Sequence, residues 1–220
     1  MLTTNQKAWK ILKNISTDPE NRHGLNLKKY LTLFLKKGHN ISDNIFDKLT
    51  LDLVNDRLDK PADIYTGGCA FLYDAHFYFI LSYSCNDYKT GVCLLGFKIV
   101  GNKLLVVQIQ GLRFTGAFYG RIRFGKDEDA IKRTVKTLLS SLKWERLLIK
   151  ITEDWAREMG FGKMGILQAR HNEYFISEPT TENWIARNKR LKMHYDVTAE
   201  RMGYRKKLFS KYRFKNLPKT

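Results

Sequence analysis

Between residues 71 and 110 the chain holds four short apolar runs: Phe71-Leu-Tyr, Phe77-Tyr-Phe-Ile-Leu, Val92-Cys-Leu-Leu-Gly-Phe and Leu104-Leu-Val-Val-Gln-Ile-Gln. They are rich in aromatic and β-branched residues and too short for ordinary helices, so they predict strands. The separators Asp74-Ala, Asn86 to Gly91 and Gly101-Asn102 are short and turn-like. Links of that length join neighbouring strands in opposite directions, which makes this stretch an antiparallel meander.

The flanks have a different period. In the first sixty residues Trp9, Leu12 and Ile15 share one helical face, and Tyr30, Leu31, Phe34 and Leu35 another. Ile45, Phe46, Leu49, Val54 and Leu58 predict a third helix after an N-cap at Ser42. After the meander, residues 111–126 hold four glycines, three arginines and no acid. Asp127, Glu128 and Asp129 then suit the first turn of a helix, where carboxylates meet the positive end of the dipole. Ile131, Val135, Leu138, Leu139 and Leu142 continue its apolar face. A second helix carries Trp144, Leu147, Leu148, Ile151, Trp155 and Met159, with Gly160 as its stop. Met164-Gly-Ile-Leu predicts a strand, Leu191 to Met202 a helix closed by Gly203, and Phe209 to Phe214 a last strand. The reading is a helical N-terminal extension over 1–60 and one mixed α/β domain over 61–220.

Composition bounds the function classes. The 220 residues are 43% hydrophobic and 28% charged, globular values that exclude wholesale disorder or a collagen-like repeat. No run reaches eighteen apolar residues, so no transmembrane segment is expected. Cys69, Cys85 and Cys93 are an odd number without a CxxC pair. They predict neither a disulfide framework nor a zinc knuckle, and with no secretory signal at the start the expected location is cytoplasmic. The five histidines and three cysteines lack ligand spacing, so no metal is expected. Net charge is the outlier at +17. Residues 187–220 carry twelve lysines or arginines against only Asp196 and Glu200, which puts a polyanion or an anionic surface among the expected partners.

This order of elements, a meander, a glycine-containing turn, a helix, a strand and a helix closing in Gly203-Tyr204, resembles the second half of the GNAT acyltransferase fold. The Gln108-Ile-Gln-Gly111 strand end, the paired helices from 127 to 159 and the Tyr195-Asp196 dipeptide are similar to the VirK-like family. The GNAT resemblance implies an acyl-CoA in a splayed gap between two central strands, its pyrophosphate on backbone N–H groups of the loop before the main helix. The matching positions are Gln110, Gly111, Arg113, Gly116, Arg121, Arg123, Gly125 and Lys126. The pyrophosphate signature is incomplete, because Arg113-Phe-Thr-Gly116-Ala117-Phe118 has Phe where the family has Gly or Ala.

The same resemblance places a tyrosine four residues before the closing pair, to protonate the departing thiolate. That position is Ala199 here; Tyr195 lies one turn earlier on the same face and reaches the cleft only if the helix is shifted. His171, at the end of the Ile166-Leu-Gln strand, sits where α/β sheets place ligand loops and is a candidate base, with His194 a second. The expected function is acyl transfer from acyl-CoA or another acyl-thioester to an amine or hydroxyl acceptor. An alternative is nucleic-acid binding by Arg205, Lys206, Lys207, Lys211 and Arg213, interleaved with Tyr204, Phe209, Tyr212 and Phe214. A VirK-like peripheral or interaction protein is a further alternative.

Overall fold

The computed structural model describes residues 32, 47–55, 75–85, 88–111 and 128–218. Seven strands form one sheet: β1 (Leu49–Asn55), β2 (Phe77–Cys85), β3 (Tyr88–Val100), β4 (Lys103–Gly111), β5 (Lys163–Leu167), β6 (Arg205–Lys206) and β7 (Tyr212–Asn216). Their spatial order is β1-β2-β3-β4-β5-β7-β6. All neighbours are antiparallel except β4 and β5, which run parallel. A parallel pair needs a long crossover, and two helices supply it: α1 (Glu128–Leu142) and α2 (Trp144–Glu158). After β5, a 3₁₀ turn (Ala169–His171) leads to α3 (Glu182–Leu191), a π-helical segment (Lys192–Val197) and α4 (Thr198–Arg201).

Two hairpins of the meander read from the sequence are present, β2–β3 and β3–β4, the first with a shorter link than the expected Asn86 to Gly91 because β3 begins at Tyr88, and the second with Gly101 at φ +54° in its tight turn. Three expectations need correction. The helix predicted over Ile45 to Leu58 is a strand at Leu49–Asn55, where Leu49, Leu51 and Leu53 alternate on the buried face and pair with β2. Alternation with period two suits a sheet edge, and pairing with β2 decides the outcome. The last strand begins at Tyr212, not Phe209, because Leu208 and Phe209 form the exposed tip joining β6 to β7. The helical stretch predicted from Leu191 starts instead at Glu182, where Thr181 accepts the Trp184 N–H as N-cap, and runs through α3, the π-helical segment and α4. The remainder of the predicted N-terminal helices and the Phe71-Leu-Tyr strand lie outside the described residues, apart from helical Thr32.

The core lies between one face of the sheet and the helices. Phe79 and Phe97 pack at 5.4 Å between ring centroids, and Trp155 of α2 meets Phe79 edge-on at 5.5 Å. Leu104, Val106, Ile109, Met164 and Ile166 carry the same face across the two parallel strands. Gly160 at φ +78° and Gly203 at φ +83° end α2 and α4, a backbone conformation that costs other residues about 1 kcal/mol.

Candidate functional site

The parallel ladder between β4 and β5 is short. It pairs Lys103 with Lys163, Leu104 with Met164, Leu105 with Gly165 and Val106 with Ile166. Beyond Val106, β4 runs on to Gly111 while β5 stays with β7. Leu167 pairs with Tyr212, and the Gln168 backbone N–H and side-chain Nε2 donate to the carbonyls of Lys211 (2.9 Å) and Ser210 (2.7 Å). The parting coincides with a bulge in β4. Gly96 opposes Gln108 and Phe97 opposes Val106, so Val107 is an extra residue with no partner on β3. A bulge bends its strand and re-aims the side chains beyond it. It is why Leu104, Val106 and Ile109 share the core face although simple alternation would put Ile109 opposite.

Tyr195 fills the space where the ladder stops. Its side chain is 2% exposed, and its hydroxyl oxygen accepts the Ile109 N–H at 2.9 Å and an Asn172 Nδ2–H at 3.3 Å. The same hydroxyl donates to the Val107 carbonyl at 3.4 Å. Tyr195 lies in the π-helical segment, where the Thr198 N–H reaches the Met193 carbonyl five residues back. The wider winding changes the direction of side chains along the helix relative to α-winding, and such segments recur at functional sites. Two donors, Ile109 N–H and Asn172 Nδ2, thus converge on one oxygen in a water-poor setting, the geometry that holds a polarised or anionic oxygen.

Only part of the predicted site falls within this arrangement. Gln110 is half-buried and accepts from Gln108 Nε2 at 2.8 Å, while the Gln108 Oε1 is buried with no partner among the described residues. Gly111 passes so close to α2 that a Cβ there would lie 3.0 Å from the Trp144 ring. Arg113, Gly116, Arg121, Arg123, Gly125 and Lys126 lie outside the described residues. His171 is exposed on the 3₁₀ turn and accepts from Arg170 Nε at 3.2 Å; its neighbour Asn172 is the residue that meets Tyr195. Loss of solvation, with help from Arg170 and Lys211 and against Asp196, holds the His171 imidazole below the usual histidine range. His194 is tied to Glu145 of α2 at 2.7 Å and its ring lies 5.5 Å from that of Trp144.

The C-terminal cations divide into two groups. Arg213 pairs with Asp196 at 3.1 Å, and Lys215 pairs with Glu153 at 2.9 Å. Arg205, Lys206, Lys207 and Lys211 are exposed and have no ion-pair partner among the described residues. Of the four aromatics read as a stacking set, Tyr204 is buried, Tyr212 and Phe214 are half-buried with centroids 6.1 Å apart, and only Phe209 is fully exposed.

Sequence reasoning missed Glu153. It is 1% exposed and accepts from Tyr204 Oη (2.9 Å), Lys215 Nζ (2.9 and 3.0 Å) and Arg157 NH2 (3.1 Å), joining α2 to β7 and to the residue after Gly203. The available signal is a carboxylate in line with Ile149 and Ala156, buried apolar residues one turn away on the same helix. Among the described residues no helix is long and apolar enough to cross a membrane. Compared with protein-family models, curated proteins and solved structures, the chain matches none.

Proposed function

We propose that the chain is an acyltransferase of GNAT-like architecture, moving an acyl group from acyl-CoA or a related thioester to an amine or hydroxyl. The observation that carries this reading is the parting of β4 from β5 after Val106 and Ile166, with a buried phenol hydrogen-bonded to the freed strand at Ile109. Tyr195 fills that gap in the unliganded chain, and the acyl arm enters it as the Tyr195 ring gives way. The Ile109 N–H, released from Tyr195, polarises the thioester carbonyl. The acceptor's nitrogen or oxygen forms a bond to the acyl carbon as the carbon–sulfur bond breaks, and Tyr195 gives its proton to the departing thiolate. His171 takes the acceptor's proton, directly or through water; a weakly basic imidazole stays neutral and receptive at pH 7. The cofactor's phosphates meet the end of β4 at Gln110 and Gly111, together with Arg113, Gly116, Arg121, Arg123, Gly125 and Lys126.

Thermal-shift titration with acetyl-CoA and longer acyl-CoAs tests this. At a hundredfold excess over its dissociation constant the ligand adds about 2.7 kcal/mol to the folded state. A midpoint that stays fixed with every acyl-CoA refutes the assignment. Where the midpoint moves, Arg121→Ala and Arg123→Ala weaken binding more than Arg187→Ala, whose guanidinium stacks 4.9 Å from the rings of Tyr174 and Trp184. Tyr195→Phe lowers kcat with little change in KM, since the proton it supplies is needed only as the thiolate leaves.

A further inference from the structure

The β6–β7 hairpin ends in a structure that folding alone does not explain. Phe209 is 99% exposed and Leu208 85% exposed, adjacent in sequence and far more open than other large apolar residues of the described chain. Burial drives most such side chains inward, and a pair left fully in water at a tip marks a contact surface more often than a defect. The tip is also held in shape. Phe209 sits at φ +57°, a conformation disfavoured for a bulky residue, and the Ser210 N–H closes the turn on the Lys207 carbonyl at 3.2 Å. Buried Gln168 anchors the turn's far side through the Ser210 and Lys211 carbonyls.

Charge surrounds the two apolar side chains on one sign only. Arg205, Lys206, Lys207 and Lys211 flank the tip closely in sequence, all exposed and unpaired among the described residues, whereas the hairpin's inner cations Arg213 and Lys215 are neutralised by Asp196 and Glu153. Lys163 of the neighbouring strand adds to this crowd: the Lys207 ammonium beside it pushes its pKa down, with some loss of solvation and Lys103 contributing. The arrangement is an apolar prong in a cationic collar. A nucleic acid would use the collar and one ring, but it offers nothing for Leu208. A bilayer with anionic headgroups uses all of it, taking the prong into the acyl boundary and the collar onto its phosphates.

We propose that the Leu208–Phe209 tip with Arg205, Lys206, Lys207 and Lys211 docks the protein on anionic lipid surfaces. It inserts the two apolar side chains while the four cations lie at headgroup level. This proposal is independent of the acyl-transfer reading, since none of the side chains assigned to the lipid surface is one that the acyl-transfer reading uses for substrate or cofactor.

Vesicle flotation of the full chain tests it, with phosphatidylcholine alone and with phosphatidylcholine containing phosphatidylglycerol. Binding is expected only to the anionic vesicles. Leu208→Ser/Phe209→Ser leaves the charge untouched and weakens binding at least tenfold. Lys206→Ser/Lys207→Ser/Lys211→Ser weakens it further, by about fivefold per charge removed. Both changes are on exposed side chains, so circular dichroism and the thermal midpoint stay as in the parent. In Phe209→Trp, emission gains a component quenched by brominated lipid that the parent lacks. Equal binding by the Leu208→Ser/Phe209→Ser variant overturns the proposal, as that result reports only the +17 charge. Absence of binding to anionic vesicles at low salt overturns it too. So does single-stranded RNA that displaces the protein from vesicles and needs Phe209 but not Leu208, which reassigns the tip to nucleic acid.

Discussion

The Glu153 cluster permits a prediction whose sign is counter-intuitive. Glu153→Met keeps the side chain's length and removes its charge. Lys215 and Arg157 then turn to solvent, as both are partly exposed and Arg157 keeps Asp154 at 2.6 Å. The Tyr204 hydroxyl cannot, being buried with its ring. Leaving that donor without an acceptor costs about 1–3 kcal/mol, to which the loss of its hydrogen bond to a charged group belongs. Tyr204→Phe alone removes one hydrogen bond to a carboxylate that keeps Lys215 and Arg157, about 1.5–3 kcal/mol. The double variant replaces both partners with apolar groups and leaves nothing orphaned, so its cost falls well short of the sum, by about 1–2 kcal/mol. Urea unfolding monitored by far-ultraviolet circular dichroism reads this directly. With a slope of about 2 kcal/mol/M, each single variant moves the midpoint by about 1 M, and the double variant lies near the worse of the two. Costs that add to within about 0.5 kcal/mol refute the reasoning and reduce Glu153 and Tyr204 to independent packing residues.

Three further outcomes rest on single residues. His171 has a folded-state pKa below its unfolded value, so the unfolded chain binds more protons in that interval and stability rises with pH through it. Acid destabilisation below about pH 6.5 is therefore smaller in His171→Gln, as measured by thermal midpoints from pH 7 downwards. Gly165→Ala puts a Cβ 2.8 Å from the Phe214 ring and 2.9 Å from Leu105, an overpacking cost of about 1–3 kcal/mol visible as a lower urea midpoint. Cys93 is buried, and burial pushes its thiol well above the usual range with the Glu145 carboxylate adding to the effect. In a Cys69→Ser/Cys85→Ser background a disulfide reagent therefore reacts only as fast as the chain opens, and a prompt reaction in native buffer contradicts the structure.

Much of the sheet is legible in the sequence because its signals are local. Phe77 to Leu81, Val92 to Phe97 and Leu104 to Gln110 announce strands by residue type, and Gly101, Gly160 and Gly203 punctuate by the backbone angles they alone tolerate cheaply. The first strand escapes, since Leu49 and Val54 fit a helical stripe as well as Leu49, Leu51 and Leu53 fit a pleat, and the deciding partner is the distant β2. The site is legible in name but not in arrangement. Tyr195 is visible as a tyrosine on the last helix, yet the π winding and the Val107 bulge that aim it at Ile109 are properties of counted hydrogen bonds, not of composition. The strand end at His171-Asn172 is visible, yet residue type favours His171 as the reactive group, and only the fold brings Asn172 to Tyr195.

The bulge and the π segment are each a single surplus residue, one in a strand and one in a helix, and they meet at the hydrogen bond from Ile109 to Tyr195. Each is expendable as far as its own element goes, since deleting one residue returns a ladder or a helix to regular form. Neither is expendable alone. Removing Val107 would straighten β4, leave Ile109 on the core face opposite Leu95 and take away the carbonyl to which the Tyr195 hydroxyl donates, and removing one residue between 192 and 197 would swing Tyr195 off the strand. Length changes at these two places therefore both act on the Tyr195 hydroxyl, although 86 positions separate the two residues bonded there.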